Sequence, residues 1–204
     1  LEHFASKSAM DIDGLGEKNV ELLVASNLVN DLADIYTIQK EDLLKLERFA
    51  EISAANLIDA IASKKKPSLD KFIYALGIRH VGAQTAIDLA GYFHSIDKLA
   101  DSTLDELQEV SGVGEIVAES IVAWFSDEDN ISLLEKFNNL GVLPLKYEPK
   151  VGKLTGMSFV ITGTLESMGR DLAAEKIRQN GGIFQSSVAK GTTYLVMGAN
   201  AGSS

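Results

Sequence analysis

Val110-Ser111-Gly112-Val113-Gly114-Glu115-Ile116-Val117-Ala118 reads as an apolar-x-Gly-apolar-Gly hairpin that runs directly into an amphipathic helix. Two glycines one residue apart let a tight turn use positive φ, and the residues after them present free backbone N–H groups at a helix N-terminus. Those donors converge with the positive end of the helix dipole, an arrangement that holds a phosphate oxygen without any basic side chain. Similar glycine hairpins also serve only to let two backbones pack closely, so the motif by itself leaves both readings open.

The form recurs. Asp13-Gly14-Leu15-Gly16-Glu17-Lys18-Asn19-Val20 repeats it near the start of the chain, and two weaker copies lie between. With the first glycine position as marker, the copies fall at Gly14, Arg48, His80 and Gly112, spaced by 34, 32 and 32 residues. A fixed period of this size marks a repeated supersecondary unit. The copy at Arg48-Phe49-Ala50 lacks both glycines, whereas His80-Val81-Gly82 keeps the second. Leu32, Ile35, Leu43 and Leu46 return 64 residues later as Ile96, Leu99, Leu107 and Val110, so the array is a doubled pair. Tetratricopeptide solenoids share the period but want Trp, Tyr, Phe and Pro at set places in each unit, and those are absent.

The 204 residues suit one large or two small domains, and 46% hydrophobic content is ample for true cores. No apolar run approaches the ~20 residues of a membrane helix, and no basic-then-apolar leader opens the chain, which points to a cytoplasmic protein. The sequence holds no cysteine, which excludes disulfides, a thiol nucleophile and a Cys-ligated zinc within it. The net charge of −10 stands against simple electrostatic binding of nucleic acid. It is unevenly spread: residues 1–147 carry 13 basic against 25 acidic side chains, and residues 148–204 carry 6 against 4. Screening acts over about 8 Å at physiological salt, so acidic helices facing away from a duplex repel it weakly.

Met10-Asp11-Ile12-Asp13-Gly14-Leu15-Gly16 and Ala75-Leu76-Gly77-Ile78-Arg79-His80-Val81-Gly82 make the hairpin region resemble the tandem helix-hairpin-helix domain of bacterial NAD-dependent DNA ligases. The resemblance implies a mainly α fold with four such motifs over residues 1–147 and a non-sequence-specific grip on the minor groove and phosphates of nicked duplex DNA. It also implies that the ligase transfers AMP from NAD to a lysine with magnesium and carries a four-cysteine zinc module ahead of the hairpins. None of those groups is expected on this chain, which shows no Lys-x-Asp-Gly stretch; no catalytic residue and no metal ligand are assigned, and the other ligase domains are the partners in cis.

Carried onto the matching positions, the expected DNA contacts are Gly14, Gly16, Lys18, Arg79, His80, Gly82, Gly112 and Gly114, with Lys64, Lys65 and Lys66 as a secondary basic cluster. Gly16, Gly82 and Gly114 are expected at positive φ, where a Cβ would also hold a phosphate away from the N–H groups. Lys18 stands in the first turn of a helix, where a cation is unfavourable unless an anion is bound. The plainer reading of Lys18 is a solvated side chain, and that of Lys64–Lys66 is a favourable helix C-terminus. The second hairpin reads as packing, with Ser53 and Asn56 as weaker phosphate donors. His3 and Phe4 are expected to pack on the first motif, Trp124 to pack at a helix end, and Asp127 to Asn130 to form an acidic turn before a helix over 131–140.

Beyond a linker over 148–152 the period changes. Phe159-Val160-Ile161-Thr162-Gly163 reads as a buried strand, 170–180 as a helix, and 183–188 and 193–197 as strands. This order, with its Ile-Thr-Gly turn and Asn-Gly-Gly break, resembles the first half of a BRCT domain, a small α/β module. Residues 153–204 are therefore expected to form a truncated version of it, ending at Gly202-Ser203-Ser204 where the family's second helix would begin. Thr162 and Gly163 match the Thr-Gly pair that holds phosphate in some members. The DNA-recognition tail of another repair enzyme, such as a nuclease, and a protein-interaction scaffold are the competing functions.

Overall fold

A computed structural model describes residues 1–148, 150–185, 187–188 and 191–199. Pro149 of the expected linker and the Gly202-Ser203-Ser204 tail lie outside the described residues. The chain divides into two compact units, one formed by Leu1–Leu104 with Glu115–Tyr147 and the other by Asp105–Gly114 with Glu148–Ser204.

The first unit is helical. It contains α1 (Glu2–Ala5), α2 (Glu17–Ala25), a 3-10 turn (Ala33–Thr37), α3 (Lys40–Leu43), α4 (Glu51–Ser63), α5 (Leu69–Ala75), α6 (Ala83–Phe93) and α7 (Ile96–Ala100). After α8 (Leu104–Gln108), which begins at its edge, come α9 (Glu115–Ser126) and α10 (Glu128–Asn139). α10 starts three residues earlier than the expected helix. Asp127 is its N-cap, and one carboxylate oxygen accepts the N–H groups of Asp129 and Asn130 at 3.0 and 3.1 Å. The acidic turn is thus absorbed into the helix it opens, as capping predicts.

An aromatic cluster holds this unit together. Phe4 stacks on Phe137 at 5.7 Å between centroids, and Phe72 and Tyr36 meet Phe137 edge-on at 5.4 and 6.1 Å. Phe4, Phe72 and Phe137 are all but fully buried. His3 and Phe4 therefore dock on α5 and α10 rather than on the first hairpin; His3 also places Nε2 2.6 Å from the Tyr74 carbonyl and its ring edge-on to that of Tyr74. Trp124 lies edge-on to Phe125 at the end of α9, which is helix-end packing. The segment after α10 runs extended beside the α4–α5 connection, with the N–H groups of Leu143 and Leu145 donating to Lys65 and Pro67 carbonyls.

In the second unit, β1 (Ser158–Thr162) is the centre of a parallel sheet of order β2-β1-β3, with β2 at Ile183–Gln185 and β3 at Tyr194–Met197. α11 (Arg170–Gln179) connects β1 to β2, as parallel pairing demands. Its Ala173, Ala174 and Ile177 close over Ile161 and Phe184, with Phe159 and Val196 beside them. Arg170 and Arg178 place their guanidiniums 5.8 and 5.4 Å from the centroid of the Phe184 ring. The end of the expected linker is built into this unit: a Cβ on Gly152 would lie 2.5 Å from the Asn180 carbonyl oxygen, and one on Gly181 2.5 Å from that of Lys150.

Candidate nucleic-acid interface

Each hairpin is anchored by two apolar residues flanking its tip. Ile12 and Leu15, Ile78 and Val81, and Val110 and Val113 are buried, while Leu46 and Phe49 of the second hairpin are half-buried. In all four the N–H of the later anchor donates to the carbonyl of the earlier one, at 3.3, 3.1, 3.0 and 3.0 Å in chain order. The pattern apolar-x-x-apolar is thus a repeated four-residue turn.

The third residue of that turn takes positive φ in the first, third and fourth hairpins: Gly14 at 86°, His80 at 66° and Gly112 at 80°. A turn with this geometry requires a left-handed third residue and so favours glycine. Arg48 does not adopt it, and the second hairpin closes its turn without a left-handed residue, which explains how both glycines could go. The expectation for Gly16, Gly82 and Gly114 is corrected here. Gly16 has φ −73° and Gly82 φ −87°, both extended, and Gly114 also lies outside the left-handed region. A Cβ on any of the three would meet nothing within 4 Å. The backbone makes no demand for glycine there, and neither does packing within the protein.

Gly16 and Gly82 are the N-caps of α2 and α6, and neither helix has a side-chain cap. Ser, Thr, Asp or Asn would ordinarily stand there and satisfy a first-turn N–H. In α2 the N–H groups of Glu17 and Lys18 have no partner among the described residues, and the Gly16 carbonyl accepts from Asn19 and Val20. In α6 the Gly82 carbonyl accepts from Ala86 at 2.9 Å. Donors and open space coincide at two hairpin N-termini of the first unit. The second hairpin differs, because the Ser53 hydroxyl turns back on the Ala50 backbone, accepting its N–H at 2.9 Å. That occupies the donor the sequence offered.

Lys18, Arg79 and His80 are exposed at or beside the hairpin tips. The lysine cluster divides. Lys64 pairs with Asp11 at 3.0 Å, Lys65 donates to the Leu140 carbonyl at the end of α10 at 3.0 Å, and Lys66 is exposed with no ion pair among the described residues. The Lys64 hydrogen bond and charge hold the Asp11 carboxyl below its ordinary value. Two of the three cations are therefore spent inside the first unit.

Some contributors were not singled out from sequence. Asn19 donates from its Nδ2 to the Gly14 carbonyl at 2.7 Å, strapping the hairpin to α2. The second residue of each post-hairpin helix, which the repeat places in register, is Lys18, Ile52, Gln84 or Ile116. In the second unit, Thr162 ends β1 and Gly163 follows at φ 76°, while the Thr162 carbonyl accepts from Gly198 at 2.8 Å. No helix among the described residues is long and apolar enough to cross a membrane. Nor do the described residues hold a group of three or more His, Asp or Glu that could bind a metal, so they do not fit the zinc or magnesium of a ligase.

These features define a class: a helix-hairpin-helix protein with a small BRCT module. Residues 71–134 match the helix-hairpin-helix motif family, and residues 149–204 match the BRCA1 C-terminus (BRCT) domain family. Over its whole length the chain is similar to part of bacterial DNA ligases. It is 47% identical over 202 residues to a DNA ligase of Trichlorobacter lovleyi, 45% over 206 residues to one of Dehalococcoides mccartyi, and 44% over 204 residues to one of Coxiella burnetii. Those alignments cover 98 to 100% of this chain, which spans about 30% of the length of these relatives.

Proposed function

We propose that this chain is the DNA-gripping portion of a bacterial NAD-dependent DNA ligase, acting in the cytoplasm on the nucleoid during replication and repair. It holds nicked duplex through the minor groove and phosphates without reading sequence, while nucleotide transfer through NAD, magnesium and the zinc module resides in the other ligase domains. The observation that carries the reading is the uncapped first turn beside Gly16 and Gly82, where free or open helix N-termini meet glycines that neither backbone strain nor internal packing requires. Phosphate contacts of this kind fix position rather than specificity. Gly14, Gly112 and Gly114 shape the hairpins, Lys18, Arg79, His80 and Lys66 add contacts, and Thr162 with Gly163 is the candidate phosphate contact of the second unit.

The test is a pair of substitutions that stability alone would favour. Gly16→Ser and Gly82→Ser place a preferred N-cap whose hydroxyl accepts a first-turn N–H, so thermal stability should hold or rise by a few tenths of a kcal/mol. Binding should fall, because a charge-assisted hydrogen bond is worth about 1.5–3 kcal/mol, or roughly ten- to a hundredfold per hairpin. Fluorescence anisotropy with nicked and intact duplex at low salt reads the affinity. Unchanged binding by the folded double variant would leave the hairpins with a packing role only.

A further inference from the structure

Ile52 and Ile116 stand 77% and 67% exposed, the two most exposed of the large apolar side chains described in the first unit. Both are the second residue of a helix that follows a hairpin, α4 and α9 respectively. They are separated by 64 residues, the period that relates the second hairpin to the fourth. Scattered exposed apolar residues need no explanation. Two at the same register of a repeat, at the most protruding position, do.

We propose that Ile52 and Ile116 are apolar contacts to duplex DNA, each laying its side chain against the deoxyribose edges that line the minor groove. The proposal rests on the DNA-gripping reading above and assigns the second and fourth hairpins a mode of contact different from that of the first and third. At this register the first hairpin carries Lys18, beside unpartnered N–H groups, and the third carries Gln84, whose amide donates to Asp88. The second hairpin has no glycine, and its Ser53 is turned inward, so the polar means of holding a phosphate is diminished there. What that hairpin presents instead is Ile52. The occupant follows from continuity: the isoleucines hold the place that Lys18 holds on a surface already assigned to the duplex. Sugar edges are the apolar part of a nucleic acid that a first-turn side chain meets once its helix approaches the backbone. Minor-groove proteins use Ile, Leu, Met and Phe in this way.

An apolar contact and a phosphate contact respond differently to salt. Removing a phosphate contact lowers the slope of log affinity against log salt by about 0.9; removing an apolar one lowers affinity at every salt concentration and leaves the slope unchanged. The experiment is anisotropy of the full chain on nicked duplex across a salt series, with Ile52→Ser plus Ile116→Ser, Ile52→Leu plus Ile116→Leu, and Lys18→Ala. The serine pair should bind about tenfold more weakly per side chain with the parent slope, the leucine pair should bind like the parent, and Lys18→Ala should lower the slope. Circular dichroism should be unchanged throughout, since neither isoleucine belongs to the core. Full affinity in the serine pair overturns the proposal and leaves the glycine-cradle reading standing. So does a serine pair that binds duplex normally but no longer associates with the rest of a ligase chain, because the isoleucines are then a protein contact. Failure of the unsubstituted chain to bind duplex at low salt overturns the DNA reading and this inference together.

Discussion

Asn19 reaches back from the first turn of α2 to the carbonyl of Gly14, its Nδ2 2.7 Å from the oxygen. The bond ties the left-handed residue of the hairpin to the helix whose N-terminus is the candidate anion site. Asn19→Ala should lose about 1 kcal/mol of stability and several-fold in duplex affinity, because the loop is then free to drift relative to its helix. Asn19→Asp removes the donor and adds a negative charge, so it should bind more weakly still. Thermal melts with anisotropy on the two variants check both statements.

His80 occupies a left-handed backbone position that glycine fills in two other hairpins. A non-glycine residue there is strained by roughly 1–2 kcal/mol, partly offset because glycine loses more entropy on folding. His80→Gly should therefore raise stability by about 0.5–1 kcal/mol. Weaker binding by the more stable variant would mark the imidazole as a contact. Equal binding would leave His80 a turn residue only.

Acid should loosen the first unit through Asp34. Lys136 of α10 bridges Asp31 and Asp34, with Nζ 2.7 and 2.5 Å from their oxygens, and Asp34 is only 16% exposed. Burial acts to raise the Asp34 carboxyl, but the Lys136 hydrogen bond and the N–H groups of Asn30 and Asp31 outweigh it and leave the carboxyl below its ordinary value. A carboxyl lowered in the fold stabilises at pH above its unfolded value of about 4. That stability is lost as pH falls through the lowered value. Lys136→Met should cost about 1 kcal/mol at neutral pH, discounted for the partial exposure of the pair. It should also flatten the acid limb of the stability curve, measured by urea melts between pH 2 and 7.

Gly152→Ala and Gly181→Ala should each destabilise the second unit by more than about 2 kcal/mol, because the new Cβ meets backbone that has no room to move. The obstacles are the Asn180 carbonyl for the first and the Lys150 carbonyl for the second. Gly169→Ala, at a position with nothing within 4 Å, is the control and should change little. Thermal unfolding followed by limited proteolysis separates the three.

The hairpins and their following helices were legible because their signals are local: a glycine pair, an apolar pair three residues apart, and a helical period behind them. Gly14 and Gly112 were read correctly as turn residues for that reason. The second glycines were given the wrong cause, since a glycine in a sequence does not reveal whether it serves backbone conformation or open space. His80 hid a left-handed residue because nothing in its chemistry announces one. Lys64 and Lys65 looked like surface charge, but their partners Asp11 and Leu140 lie 53 and 75 residues away, and no local pattern reports such pairings. The aromatic cluster was missed likewise, as Phe4, Tyr36, Phe72 and Phe137 share no period.

The stacking of Phe4 on Phe137 bears on how the hairpin array folds. A solenoid with this repeat length gains stability from neighbouring units alone and frays from its ends. Here the first helix and the last helix of the same unit share one core, so the array is closed rather than open. Its denaturation should be a single cooperative transition with no repeat-by-repeat unzipping. Amide exchange of the slowest protons in α1 and α10 should then occur only through global unfolding. Folding should also be slow for a helical protein of this size, because contacts between distant parts of the chain require loop closure before they contribute.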